Sequence, residues 1–137
     1  FFEKHWDELL KFSRRTELQL KRWAARYGYR DQPMEILDHA KKGYGGGRDS
    51  CVNLQNRDTV EFRMFRGPLK YNTLIATLQL VNRVCDVAVS FSDEEMKALS
   101  WTSFVADIKE EEAPELIRYL KERRLYINEP VDAEEDA

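Results

Sequence analysis

The sequence predicts an α+β fold that is mostly helical and built around one antiparallel β-hairpin. Three observations predict it. Apolar residues recur at three- and four-residue spacings over most of the chain, the pattern of amphipathic helices. Between residues 50 and 65 the spacing changes to every second position and is interrupted by "NRD" (56–58), the alternation and turn chemistry of a hairpin. Glycine and proline punctuate the chain at 28, 33, 43–47 and 67–68, dividing it into segments.

In chain order, residues 2 to about 27 read as one long amphipathic helix. Phe2, Trp6, Leu9, Leu10, Phe12, Leu18, Leu20, Trp23 and Tyr27 lie along its apolar side, and Gly28 ends it. A shorter helix is expected from Pro33 to about Lys41, with Pro33 in its first turn. "GYGGG" (43–47) then opens almost any dihedral to the backbone. "SCVNLQ" (50–55) and "TVEFRMF" (59–65) read as the two strands of the hairpin. Apolar faces that coincide require opposed residues to sum to an even total, so a three-residue loop pairs Asn53 with Glu61 and Val52 with Phe62. Gly67 and Pro68 break the second strand. A helix is expected from about Tyr71 to Val89, with an apolar stripe of Leu74, Ile75, Leu78, Val81, Val84, Cys85 and Ala88. "SDEEMKAL" starts another, with Ser92 and Glu95 spaced as a capping box. "APELIRYLKERRLY" gives the last, packing Leu116, Ile117, Leu120 and Leu125.

The chain has 137 residues, a length suited to one domain with a real core. With 42% hydrophobic and 34% charged residues it has a globular composition, and no apolar run was expected to approach the roughly 18 residues of a membrane span. Cys51 and Cys85 form neither a disulfide framework nor a metal spacing and read as free thiols of a reducing compartment, which places the protein in the cytoplasm. The formal charge of −3 is concentrated at the end: residues 129–137 hold five acids and no bases and read as a disordered acidic tail, leaving 22 bases against 20 acids in residues 1–128. No global charge points to nucleic acid. "FFEKHWDELL" is no signal peptide, because charge appears at its third position within a helical pattern. A helix that begins in mid-pattern without a cap predicts a piece of a longer chain.

The chemistry, if any, concentrates on the hairpin. Val60, Phe62 and Met64 share one face, and Glu61 and Arg63 share the other with Cys51, Asn53 and Gln55. One reading has these charges solvated, as cross-strand decoration worth under about 1 kcal/mol. The other has an amide, a carboxylate and a guanidinium converging on a site. Glu61 and Arg63 are roughly 7 Å apart along the strand, a span that a phosphate or a bridging metal could fill. Carboxylate oxygens suit Mg²⁺, and guanidinium forks suit phosphate oxygens. Arg66 has the parity of the apolar face, so the strand is expected to end or bulge there, with Gly67 swinging Arg66 toward the same patch.

Residues 48–81, "RDSCVNLQNRDTVEFRMFRGPLKYNTLIATLQLV", resemble the signature of the amidoligase family, carboxylate–amine ligases of bacteria related to glutamine synthetase and γ-glutamyl–cysteine ligase. The likeness lies in an arginine, a strand ending in Asn-Leu, a short turn, Thr-Val-Glu-Phe-Arg-x-Phe-Arg-Gly and a helix. "FSRRTELQLKRWA" (12–24) is similar to the helical stretch that precedes this hairpin in the family. The resemblance implies the C-terminal part of a glutamine synthetase-like domain spanning residues 1–128, in which an antiparallel sheet floors the site. It implies ATP-dependent amide formation: ATP phosphorylates a substrate carboxylate, and an amine displaces phosphate from the acyl phosphate. By position, Glu61 would be a ligand of Mg²⁺, Arg63 and Arg66 would hold the transferring phosphate or the carboxylate, and Arg48 and Asn53 would orient the nucleotide or substrate. The implied partners are small-molecule or peptide carboxylates and amines, with no nucleic acid and no membrane. Pro68 stands where the family usually has Thr, and the family's further metal-binding acids lie upstream of the segment matched here. The fragment would therefore be inactive alone.

The competing class is a non-catalytic helical interaction module, its hairpin charges forming surface salt bridges and its exposed strand edges open to self-association. Among the remaining features, "KKGYGGGRD" (41–49) reads as a connector or as a phosphate-gripping lid. The basic and aromatic residues of 13–30 read as a core stripe with a solvated face. His5 reads as a surface residue, His39 as a residue near a helix C-terminus, and Trp101 as a packing aromatic.

Overall fold

A computed structural model of the chain describes residues 1–28, 33–42 and 50–126. Arg48, the glycine-rich segment and the acidic tail lie outside the described residues, as does the side chain of His39. The elements are α1 (Trp6–Ser13), α2 (Glu17–Trp23), α3 (Pro33–Lys42), β1 (Val52–Asn53), β2 (Glu61–Phe62), α4 (Tyr71–Ser90), α5 (Asp93–Ala98), α6 (Trp101–Ala106) and α7 (Pro114–Glu122). The described residues are thus mostly helical with a two-stranded antiparallel hairpin, the α+β composition the periodicities predict. The chain divides into two compact units, Phe1–Arg66 and Gly67–Ala137.

In the first unit the long N-terminal helix is in fact two. Arg14 takes a left-handed conformation (φ 58°) after Ser13. The Ser13 hydroxyl donates to the Leu10 carbonyl (2.7 Å) and accepts from the Arg15 amide (3.2 Å), which stabilises the break. Thr16 then restarts the helix with a complete capping box: its hydroxyl accepts from Gln19 N, and the Gln19 carboxamide accepts from Thr16 N. Thr-Glu-Leu-Gln carried this signal, but the continuous apolar period masked it. The break also turns Leu18 and Trp23 outward, whereas Phe2, Trp6, Leu9, Phe12 and Leu20 form the core. Helix α2 stops at Trp23, and Gly28, with φ 92°, lies beyond it in a segment that runs beside β1. There the Cys51 amide donates to the Ala25 carbonyl (2.9 Å), and the Tyr27 hydroxyl donates to the Val52 carbonyl (2.9 Å).

Glu3 holds this segment. Its carboxylate accepts from Arg26 Nε (2.9 Å), from the Tyr27 amide and from the Gly28 amide (3.0 Å), while Arg26 lies over the Trp6 ring. A buried carboxylate with three donors is well compensated. His5 is a correction: it is buried, not a surface residue. Burial, with Lys4 and the chain's amino group next in weight, lowers its pKa to about 4.

The hairpin register is the expected one, Val52 opposite Phe62 and Asn53 opposite Glu61. The strands are shorter than read, and Arg63 N to Cys51 O (2.9 Å) extends the pairing past β2. Phe65 leaves the strand to pack its ring against Phe12 (centroids 5.8 Å apart) and Phe2 (6.2 Å).

In the second unit α4 packs on α7. The expected apolar stripe is rotated. The buried residues are Thr73, Ala76, Leu80, Val84 and Val87, while Leu74, Leu78, Cys85 and Ala88 are exposed. The helix is apolar around most of its girth, so its sequence period marked two candidate faces. The observed face carries small residues that admit a close neighbour, and it is flanked by two amides that α7 uses. Asn72 Nδ2 donates to Glu115 O (3.4 Å), and Gln79 both donates to the Glu115 carboxylate (2.8 Å) and accepts from Leu116 N (2.9 Å). Ala113 has no capping side chain, so Gln79 caps α7 from another helix. By length and composition alone α4 is long and apolar enough to cross a membrane, with 28% of that stretch buried, a test that the core helix of a soluble protein also passes. Ser92 and Glu95 form the expected capping box of α5. Helix α6 was not foreseen; Ser100 caps it, and Trp101 is buried with its indole N–H on the Leu125 carbonyl (2.7 Å).

Candidate functional site

Two of the candidate residues, Glu61 and Arg63, meet on the second strand of the hairpin in the first unit. Alternation along β2 puts Glu61 and Arg63 on one side, and they contact one another: Arg63 Nη1 lies 3.2 Å from Glu61 Oε1. The gap expected between them is therefore closed by an ion pair. Both side chains remain reachable from solvent, 28% exposed for Arg63 and 40% for Glu61. Arg63 is oriented further by the Trp23 carbonyl, which accepts from Nε at 3.5 Å, so the end of α2 sets the direction of the guanidinium.

The rest of the expected face is not open. Asn53 stands opposite Glu61 but is only 1% exposed, and its Oδ1 accepts from the Gln55 amide (3.0 Å). Cys51 is equally buried. Burial pushes its pKa up to about 12, with the Glu3 carboxylate adding to the effect, so it remains a thiol and is no nucleophile. The apolar face is the more solvated in places: Met64 is fully buried, but Val60 is 52% exposed. The reversal has a local cause. The segment at Ala25–Tyr27 bonds along β1, from the Cys51 amide to the Ala25 carbonyl and from the Tyr27 hydroxyl to the Val52 carbonyl, and Val60 lies beyond that bonded stretch.

Arg66 is exposed past the end of the strand, as the cost of burying an unpaired charge requires. Arg48 lies outside the described residues. One residue that sequence reasoning passed over reaches the end of the hairpin from the turn after α1: Arg15 Nη2 donates to the Phe65 carbonyl at 3.4 Å. The doubled arginine after a helix was the available signal, hidden by reading the helix as continuous.

For Mg²⁺, the described residues supply a single carboxylate at this place, and no three His, Cys, Asp or Glu side chains among them cluster as a metal site. Mg²⁺ in phosphoryl-transfer sites commonly arrives on substrate phosphates and takes only one or two carboxylates, so Glu61 fits as one donor and does not by itself hold an ion. Comparison with known protein families, with curated proteins and with solved structures finds no match.

Proposed function

We propose that the chain contributes part of the active site of an ATP-dependent carboxylate–amine ligase, with Arg63 and Arg66 holding phosphate or carboxylate oxygens. The observation that carries this reading is the solvent-reachable Glu61–Arg63 pair at the end of a hairpin whose motif resembles the amidoligase signature. Phosphoryl transfer asks little covalent chemistry of a protein; it needs cationic donors placed where charge develops. Arg63 is suited to this because Trp23 and Glu61 fix its direction before any ligand arrives. On this reading Glu61 would offer one carboxylate oxygen to Mg²⁺ brought by the nucleotide, and the ion would supply neutralisation of the phosphates. Asn53 acts from within, setting the turn at Gln55 rather than touching nucleotide. On this reading further acidic residues of the kind the family carries on other strands would be needed to complete the site.

The test has two parts. ATP hydrolysis that depends on an added amine, measured in a protein that includes the upstream strands, is expected to fall at least a hundredfold in Arg63→Ala. Titration of MgATP into the 137-residue chain is expected to weaken in the same variant. Equal affinity in wild type and variant would overturn the reading. An interaction module is the second reading, favoured by the exposed apolar residues Leu69, Tyr71, Leu74 and Leu78 at the start of α4. A concentration-dependent mass in ultracentrifugation that is lost in Leu78→Lys, together with no nucleotide affinity, would select it.

A further inference from the structure

We infer that Arg15 is a third guanidinium of the proposed anion site, grouped with Arg63 and Arg66 about the backbone of Phe65 to hold the oxygens of a polyphosphate. The inference rests on the proposed ligase reading and adds to it a residue from a different element. Arg15 follows the left-handed residue that ends α1, and its backbone is fixed by the Ser13 hydroxyl. The Phe65 ring packs on Phe12 of the same helix, so the end of α1 and the end of the strand are tied together. Arg63 precedes Phe65 by two residues and Arg66 follows it by one. The backbone bends at Met64 and Phe65, and the spacing of consecutive Cα atoms keeps both roots within about 8 Å of Phe65.

Arg15 is incompletely satisfied as it stands. Its Nη2 contact with the Phe65 carbonyl is long, at 3.4 Å, and its buried Nε has no hydrogen-bond partner among the described residues. Nε is enclosed, so the N–H groups at the tip of the guanidinium fork are the ones that an entering ligand would meet. An anionic oxygen would be a stronger acceptor than a neutral carbonyl. Glu61 offsets one of the three charges through Arg63, while Arg66 is exposed, so the group retains positive character. The ligand class that fits is a di- or triphosphate, whose several oxygens can meet more than one fork.

Inorganic triphosphate titrated into the 137-residue chain at low salt tests this, with Arg15→Gln, Arg15→Lys, Arg63→Ala and, as a control for general charge, Lys109→Gln of the second unit. Glutamine keeps a donor for the Phe65 carbonyl and removes the charge. The expected result is a loss of roughly tenfold in affinity for Arg15→Gln, the scale of one charged hydrogen bond, with an unchanged thermal midpoint and partial recovery in Arg15→Lys. Arg63→Ala should weaken binding as well, and Lys109→Gln should not. If Arg63→Ala weakens binding and Arg15→Gln does not, the role of Arg15 is overturned while the ligase reading stands. If neither weakens it, or Lys109→Gln weakens it equally, both are overturned. A lowered thermal midpoint in Arg15→Gln at unchanged affinity makes Arg15 a strut and overturns the inference.

Discussion

Asn53 and Glu61 face one another in the hairpin ladder yet meet opposite environments: the amide is sealed inside the first unit, and the carboxylate is open to solvent. Asn53→Ala removes the acceptor for Gln55 N and leaves a small void. The expected loss is about 1–2 kcal/mol, read by urea denaturation.

Glu61 and Arg63 should contribute little to stability despite their contact. Both side chains are partly exposed, and pairs of this kind couple by about 0.2–1 kcal/mol. A double-mutant cycle with Glu61→Gln and Arg63→Gln measures the coupling; a value well above that range would mean that the pair is a structural strut.

Glu3 should matter more than any surface pair. Glu3→Ala strips acceptors from Arg26 and from the Tyr27 and Gly28 amides. Because Arg26 is 38% exposed, water recovers part of the loss, and the expected cost is on the order of 2 kcal/mol. Hydrogen exchange at the Tyr27 and Gly28 amides should accelerate in the variant.

His5 should make the fold acid-sensitive. Its folded pKa is lowered from 6.5 to about 4, so between those values the unfolded chain binds more protons and stability falls as pH falls. The penalty is absent above pH 6.5 and complete below about 4, where it reaches about 3 kcal/mol by the standard conversion. In His5→Phe the slope of stability against pH in this window should flatten; an unchanged slope would assign it to other groups.

The two capping boxes should each be worth about 1 kcal/mol, so Thr16→Ala and Ser92→Ala should lower the free energy of unfolding by similar amounts.

The hairpin register was legible because side-chain alternation admits few pairings once Val52, Leu54, Val60 and Phe62 must share a face. The capping box at Ser92 was legible because its two partners are local. What failed depended on neighbours distant in sequence. Ala25 and Tyr27 bond to β1 from far back in the sequence, and Asn53 and Cys51 on that stretch are buried although their alternation marks the polar face. On α4, Gln79 and Asn72 decide which of two apolar sides meets α7, and no periodicity records that choice. Arg15 was missed for a related reason: its partner is a backbone carbonyl fifty residues away, which leaves no trace in residue type.

The contrast between the two cysteines has a practical consequence. Cys51 is enclosed and held protonated, while Cys85 lies open on α4. A maleimide dye or nitroxide added to the native protein should therefore attach at one position, and a second equivalent should react only as the first unit unfolds. Wild-type protein thus carries its own spectroscopic handle on one unit and a built-in chemical reporter of opening in the other.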